Sequence, residues 1–220
     1  MIKAVLFDMD GTILDTERIH KTCWEQAMAD MGIDFTPTTF YDLIGLNDLS
    51  TRNYFKKNYG FTDEQYDKMS RAAYTCSREY TTEKGIPVKA GFFELAEFLV
   101  KNGIKTAVVT SSLCSEAVHN FKRAYITVPF DAIIGGDSVT DGKPAPEPYE
   151  KAAAAVGIPK EECLAVEDSA NGIRSAYAAG IRCVYIKDMV DIPDEVKALA
   201  EFKADSLDKV IGIIRETNRD

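Results

Sequence analysis

An α/β fold, a doubly wound parallel sheet interrupted after its first strand by a block of helices, is what this chain predicts. Three observations carry it. Short runs that are apolar throughout alternate with helical patterns, as strands buried on both faces of a parallel sheet require. Each run ends in small, polar or charged residues. One stretch of about 70 residues, from Thr16 to Ile86, breaks the alternation and holds no strand-like run.

The elements follow in order. The run Ala4-Val5-Leu6-Phe7 leads to Asp8. Inside the block, Ile19, Cys23 and Ala27 with Trp24, Met28 and Met31 form one apolar helical face that stops at Gly32. Tyr66, Met69, Ala73, Cys76 and Tyr80 then recur at three and four residues, with Thr62 and Gln65 as a capping-box start and Gly85 as a stop. Beyond the block, Thr106-Ala107-Val108-Val109 leads to Thr110, and Ala132-Ile133-Ile134 to Gly135. Leu164-Ala165-Val166 leads to Glu167, and Cys183-Val184-Tyr185-Ile186 to Lys187. Gly103, Gly157 and Gly180 each close a helical pattern and each precede an isoleucine, which predicts left-handed glycines feeding strands. Phe92, Phe93 and Phe98 read as core, and the run from Ala152 to Ala155 as a strong helix former.

Composition bounds the function. The chain has 220 residues, with 45% hydrophobic and 28% charged, the proportions of a folded globular protein. Such a length buries roughly 70–75% of the unfolded surface. With 35 Asp+Glu against 26 Lys+Arg, the net charge is -9, which argues against nucleic acid and anionic membrane as partners. The block carries 9 Lys/Arg and 11 Asp/Glu, leaving 17 and 24 to the rest, so most of the excess acid lies on the sheet-forming part. The charge-free stretch from Thr106 to Ser115 is about as long as any, far short of the ~20 apolar residues that span a bilayer. The apolar start is too short for a signal peptide and is interrupted by Asp8 and Asp10. The five cysteines (Cys23, Cys76, Cys114, Cys163, Cys183) are odd in number and widely spaced, without a Cys-x-x-Cys pair. That pattern excludes a disulfide framework or zinc ribbon, and predicts small core residues in a reduced, cytoplasmic compartment.

In open α/β folds ligands bind beyond the carboxyl ends of the strands. Those ends hold Asp8 and Asp10, then Thr110 and Ser111, then Lys143-Pro144 ahead of a helix, then Glu167-Asp168. The set is chemically coherent: carboxylates for a hard cation, a carboxylate nucleophile, a hydroxyl and one fixed positive charge. Mg²⁺ takes one or two carboxylates, keeps waters and uses substrate phosphate. Without a cation, each pair of like charges about 4 Å apart costs roughly 4 kcal/mol at an effective dielectric near 20.

Asp8-Met9-Asp10-Gly11-Thr12, Thr110-Ser111, Lys143-Pro144 and Glu167-Asp168-Ser169-x-x-Gly172 resemble the four signature motifs of the haloacid dehalogenase-like superfamily. The helical block resembles its first-type cap, as in the β-phosphoglucomutase and phosphoglycolate-phosphatase branch. The resemblance implies a Rossmann-like core at 1–15 and 87–220 and a helical cap at 16–86. It implies Asp8 as the nucleophile that forms an aspartyl-phosphate, and Asp10 as general acid/base. It implies Thr110 and the Ser111 N–H as the phosphate cradle, and Lys143 as the cation that neutralises nucleophile and phosphate. Mg²⁺ would be held by Asp8, the Asp10 carbonyl and Asp168, with Glu167 a ligand or a partner of one. Gly11 permits the tight turn between the acids, and Thr12 supports that loop.

The same resemblance places Thr16 and His20 on the first cap helix as candidate substrate contacts. Arg52, Arg71 and Arg78 are equally placed as cap anchors. Asp137, Asp141, Glu161 and Glu162 read as surface residues, and His119 as unremarkable. The expected activity is a Mg²⁺-dependent phosphatase for a small phosphorylated metabolite such as a sugar phosphate, in a monomer or weak dimer. A hexose-phosphate mutase is the alternative. Against it, Ile44 and Asp48 around Gly45 stand where the mutase pattern has lysine and arginine, and Leu113 replaces a further lysine. A dehalogenase lacks the second aspartate that Asp10 supplies. A signalling phosphoacceptor domain has neither the Asp-x-Asp pair nor a helical insert of this length.

Overall fold

Runs that are apolar at every position need cover on both sides, and a sheet flanked by helices on both faces supplies it. The computed structural model describes residues 1–36, 39–40, 43 and 48–219. The chain divides into two units, one of Met1–Asp15 with Ile86–Asp220 and the other of Thr16–Gly85.

The helical unit contains α1 (Glu17–Asp30), α2 (Asp48–Tyr59) and α3 (Asp63–Lys84) among its described residues. Helix α1 buries Ile19, Cys23, Ala27 and Met28, and α3 buries Tyr66, Met69 and Ala73, as their periodicity predicts, but Tyr80, expected on the same face of α3, is exposed near the end of the helix. Thr62 caps α3 as expected: its hydroxyl accepts from the Gln65 N–H at 3.2 Å, and the Gln65 amide oxygen accepts from the Thr62 N–H at 2.9 Å. Phe55 centres an aromatic cluster, with Trp24 stacked at 5.5 Å, Tyr59 and Phe61 at 5.3 Å and Tyr66 at 6.0 Å.

One reading is corrected here. Cys23 and Cys76 are not independent reduced residues; they form a disulfide between α1 and α3, with Cα atoms 5.6 Å apart. Their separation of 53 residues hides the pairing in the sequence, and a reduced compartment no longer follows from the cysteines. Arg52 is occupied within the unit, by Asp67 at 2.8 Å, Asp63 at 3.3 Å, Asp48 at 3.6 Å and the Tyr66 ring at 4.5 Å. The mutase comparison at Ile44 and Gly45 lies outside the described residues.

The sheet unit holds six parallel strands in the order β3-β2-β1-β4-β5-β6. They are β1 (Ala4–Phe7), β2 (Lys105–Val109), β3 (Ala132–Ile134), β4 (Cys163–Glu167), β5 (Arg182–Ile186) and β6 (Phe202–Ala204). Alternate strand residues point to opposite faces. Val5, Phe7, Val108, Leu164, Val166 and Val184 pack with residues of α4 (Phe92–Lys101), α5 (Cys114–Arg123) and α9 (Val210–Thr217). Ala4, Leu6, Ala107, Val109, Ala165 and Cys183 pack with residues of α6 (Glu147–Val156), α7 (Ala170–Ala178) and α8 (Asp194–Lys197). Each fully buried Leu, Ile, Val or Phe contributes about 1.5–3 kcal/mol.

Gly103, Gly157 and Gly180 are left-handed at φ 64, 69 and 72°, as the sequence predicts. Ile86, at the edge of the helical block by its pattern, belongs to the sheet unit, where its N–H donates to the Arg123 carbonyl. Phe93 is not core: it is 50% exposed, because the buried stripe of α4 runs through Phe92, Leu95, Ala96 and Leu99. Among the described residues no helix is long and apolar enough to cross a membrane.

Candidate active site

The strand order departs in opposite directions from β1, which places a crevice at the carboxyl ends of β1 and β4. Phe7 pairs with Val166, and the Asp8 N–H donates to the Val166 carbonyl at 3.0 Å. The pairing thus continues one residue past β1 and sets Asp8 beside the Glu167-Asp168 end of β4.

Asp10 begins a tight turn in which the Gly11 N–H donates to Leu14 O at 2.8 Å and the Leu14 N–H to Met9 O at 2.9 Å. Gly11 sits at φ 85°, and a Cβ there would lie 2.9 Å from the Asp168 carboxyl carbon. Glycine is required twice over, for its conformation and for the close approach of Asp168. Thr12 then donates its hydroxyl to Asp168 Oδ1 at 3.0 Å, so the turn supports a carboxylate as well as itself.

The loop after β2 is pinned by its neighbour. The Thr110 N–H donates to Ile134 O at 2.9 Å, and the Gly136 N–H donates to Ser112 O at 2.8 Å. Thr110 is buried, and its hydroxyl accepts from the Ser112 N–H at 3.0 Å. Ser112, which the sequence reading did not single out, donates its hydroxyl to Asp10 Oδ2 at 3.2 Å. Asp137 accepts the Cys114 N–H at 3.0 Å and so caps the start of α5; it is exposed, as expected, but bonded. The helix start next to Thr110 and Ser111 favours an anion.

Lys143 joins the carboxylates. Its ammonium donates to Asp8 Oδ1 at 2.6 Å, to Val109 O at 2.9 Å and to Glu167 Oε1 at 2.6 Å. An ammonium has three protons, and all are committed. Burial, and then the Glu167 carboxylate, push the Asp8 carboxyl well above the usual carboxylate range, against the pull of Lys143. Burial would lower Lys143, yet the carboxylates of Asp8 and Glu167 raise it above the ordinary lysine value.

Asp8, Glu167 and Asp168 each offer a carboxylate oxygen, all within 4.8 Å of one another, and all three residues are buried. Three buried acids against one lysine make a donor set that a divalent hard cation fits, and the upward push on Asp8 is the penalty such an ion would relieve.

Asp8, Asp10, Thr110, Lys143, Glu167 and Asp168 therefore meet in the sheet unit through direct bonds or shared partners. Ser111 lies in the same loop, its carbonyl against Gly136, where a Cβ would collide. Thr16 and His20 lie in the helical unit, Thr16 as N-cap of α1 and His20 one turn on, its N–H donating to Thr16 O at 2.9 Å. Two contributors escaped the sequence reading: Ser112, whose signal was a third consecutive hydroxyl residue, and Tyr149, whose phenol donates to Glu167 at 2.9 Å.

Carboxylates, one lysine and a hydroxyl gathered at the carboxyl ends of a doubly wound sheet suit a phosphoryl-transfer enzyme. Residues 5–186 match the haloacid dehalogenase-like hydrolase family, and the chain belongs to that family. It is 31% identical over 197 residues to Protein CbbY of Cereibacter sphaeroides, an alignment covering 84% of each chain. It is 26% identical over 218 residues to a phosphorylated carbohydrates phosphatase of Thermotoga maritima, covering 98% of this chain and 99% of that one. A crystal structure of a CbbY mutant from Rhodobacter sphaeroides in complex with xylulose-(1,5)bisphosphate matches with a TM-score of 0.79 at 26% identity, over 95% of this chain and 96% of that one.

Proposed function

We propose that the chain is a Mg²⁺-dependent phosphatase that hydrolyses a small sugar phosphate through an aspartyl-phosphate on Asp8. The observation that carries the reading is the Asp8 carboxylate, held by Lys143 at 2.6 Å beside the Glu167-Asp168 pair. The substrate class rests on the two relatives, one a phosphatase of phosphorylated carbohydrates and one with a sugar bisphosphate bound.

Asp8 Oδ attacks phosphorus, and Asp10 gives its proton to the departing sugar oxygen. Asp10, now a carboxylate, takes a proton from the water that attacks the aspartyl-phosphate, which releases inorganic phosphate and restores Asp8. The Thr110 hydroxyl and the Ser111 N–H hold the phosphoryl oxygens. Lys143, with its protons committed, acts through its charge on the nucleophile. Asp8, the Asp10 carbonyl and Asp168 would hold Mg²⁺, which when bound neutralises phosphoryl charge. The helical unit serves as the cap and is assigned the choice of substrate, with Thr16 and His20 as its candidate contacts.

The mutase alternative is not favoured. Leu113, at the N-cap of α5, is 48% exposed and carries no charge. Asp48 has its carboxylate taken by the Tyr66 phenol at 2.9 Å and by Arg52. Neither position offers a cation to a second phosphate. The test is a screen of phosphorylated metabolites with Mg²⁺, reading released phosphate and isomerised sugar together. Phosphate alone is expected, and Asp8→Asn should abolish its release; turnover retained in that variant overturns the mechanism.

A further inference from the structure

Glu167 is fully buried, and both of its oxygens are taken. Oε1 accepts from Lys143 at 2.6 Å and from the Tyr149 phenol at 2.9 Å. Oε2 accepts from the Asp168 N–H at 3.1 Å, the Ser169 N–H at 3.2 Å and the Ser169 hydroxyl at 3.0 Å. The carboxylate occupies the space a side chain at Gly172 would need. A buried carboxylate with every acceptor site filled is anchored, and little capacity remains for a metal ion.

Lys143 is shared at the same 2.6 Å between this anchor and the nucleophile Asp8. Two acids compete for one ammonium, and the phenol bears on one side of that competition. By donating to Oε1 it satisfies part of the charge that would otherwise draw Lys143 away from Asp8. Tyr149 is itself fully enclosed: it is 0% exposed on α6, with its ring centroid 5.3 Å from the Lys143 nitrogen.

We propose that Tyr149 is a positioning residue that holds Glu167, and through it Lys143, on the nucleophile, so that Glu167 serves the lysine rather than the metal. The inference rests on the phosphatase reading above. The test is a double-mutant cycle of Tyr149→Phe and Glu167→Gln, with p-nitrophenyl phosphate for kcat and KM and calorimetric titration with Mg²⁺ alone and with orthovanadate.

Tyr149→Phe should lower kcat about 10–100-fold, the usual loss for a partner one step removed from a site, with KM within about threefold. Vanadate affinity should fall with kcat, and Mg²⁺ affinity should hold within about threefold in both single variants. The double variant should lose no more than the worse single one, because both act on the same lysine. Unchanged kcat in Tyr149→Phe, additive losses, or Mg²⁺ affinity in Glu167→Gln falling as far as in Asp168→Asn overturns the proposal. A wild-type chain that hydrolyses no phosphomonoester overturns the functional reading instead, and the vanadate cycle then decides this one. Should Tyr149→Phe fail to fold, the Mg²⁺ and vanadate arms of Glu167→Gln decide it.

Discussion

In the proposed cycle Asp10 has two tasks, and its carboxylate must face the same in-line position for both, occupied first by the departing sugar oxygen and then by the attacking water. The Ser112 hydroxyl, 3.2 Å from Asp10 Oδ2, fixes that orientation without contributing a charge. Because its proton goes to Asp10, its removal should spare substrate binding. Ser112→Ala is expected to lower kcat roughly 10- to 100-fold with KM within about threefold, since small misplacement of a catalytic group has costs of that order. A rise in KM with kcat intact would place Ser112 on the substrate instead. At this scale the sequence was informative about residue type and less so about partners. Asp8, Asp10, Thr110, Lys143 and Asp168 could be named from strand ends and motif spacing. The Thr12 bond to Asp168 joins positions 156 apart, and the Tyr149 bond to Glu167 joins an α6 residue to a strand end. No local pattern encodes either meeting.

Helix α6 carries Tyr149 to the site and the turn ahead of it carries Lys143, while Glu147 at its first turn ties the helix to that approaching segment. The Glu147 carboxylate pairs with Lys151 at 2.7 Å and accepts the N–H groups of Asp141 at 2.8 Å and Thr140 at 3.1 Å. The Lys151 bond first, and then those of Asp141 and Thr140, lower its carboxyl from the ordinary 4.5 to about 2. A depressed value means the folded chain favours the charged form. Its stabilisation is complete above pH about 4.5 and disappears as pH falls toward about 2. Glu147→Gln should therefore lower the thermal midpoint at pH 7, and the gap to wild type should narrow below pH about 4.5 and close as pH approaches about 2. A gap independent of pH would exclude the carboxylate as its source. Elements were read well where their pattern was long or bracketed by glycine, as in α3 and the strands after Gly103 and Gly180. The edge strand β6 is not legible in the sequence, because Phe202-Lys203-Ala204 has three residues with a charge in the middle and no apolar run to show. Phe93 resembles a core residue in sequence because its apolar neighbours mask which side of α4 it occupies.

For the whole molecule, the division into a sheet unit and a helical unit has a thermodynamic consequence. Each has its own core, and they differ in what stabilises them. Calorimetry should resolve two transitions. Mg²⁺ at about 100 times its Kd should raise the sheet unit's transition by about 2.7 kcal/mol. Reductant should lower that of the helical unit by roughly 2–4 kcal/mol, as the bond between Cys23 and Cys76 closes a loop of 53 residues. One transition moved by both additions would show the units unfolding as one; a chain indifferent to reductant would lack the bond.

The net charge of -9 belongs to this scale as well. It argues against a polyanion as partner and is silent on a single phosphate, because Lys143, and in the proposed reading a divalent cation, would act locally where Asp8, Glu167 and Asp168 gather. Periodicity, glycine stops and strand-end residues are local properties of a chain, so the α/β alternation, the helical insert and most of the acids and cations of the site could be read in one dimension. Hydrogen-bond partners, the disulfide and the sharing of Lys143 between two carboxylates join residues 18 to 156 positions apart. Those distances close only when strand order brings the carboxyl ends of β1, β2 and β4 together and when α1 packs on α3, and no pattern along the chain carries that information.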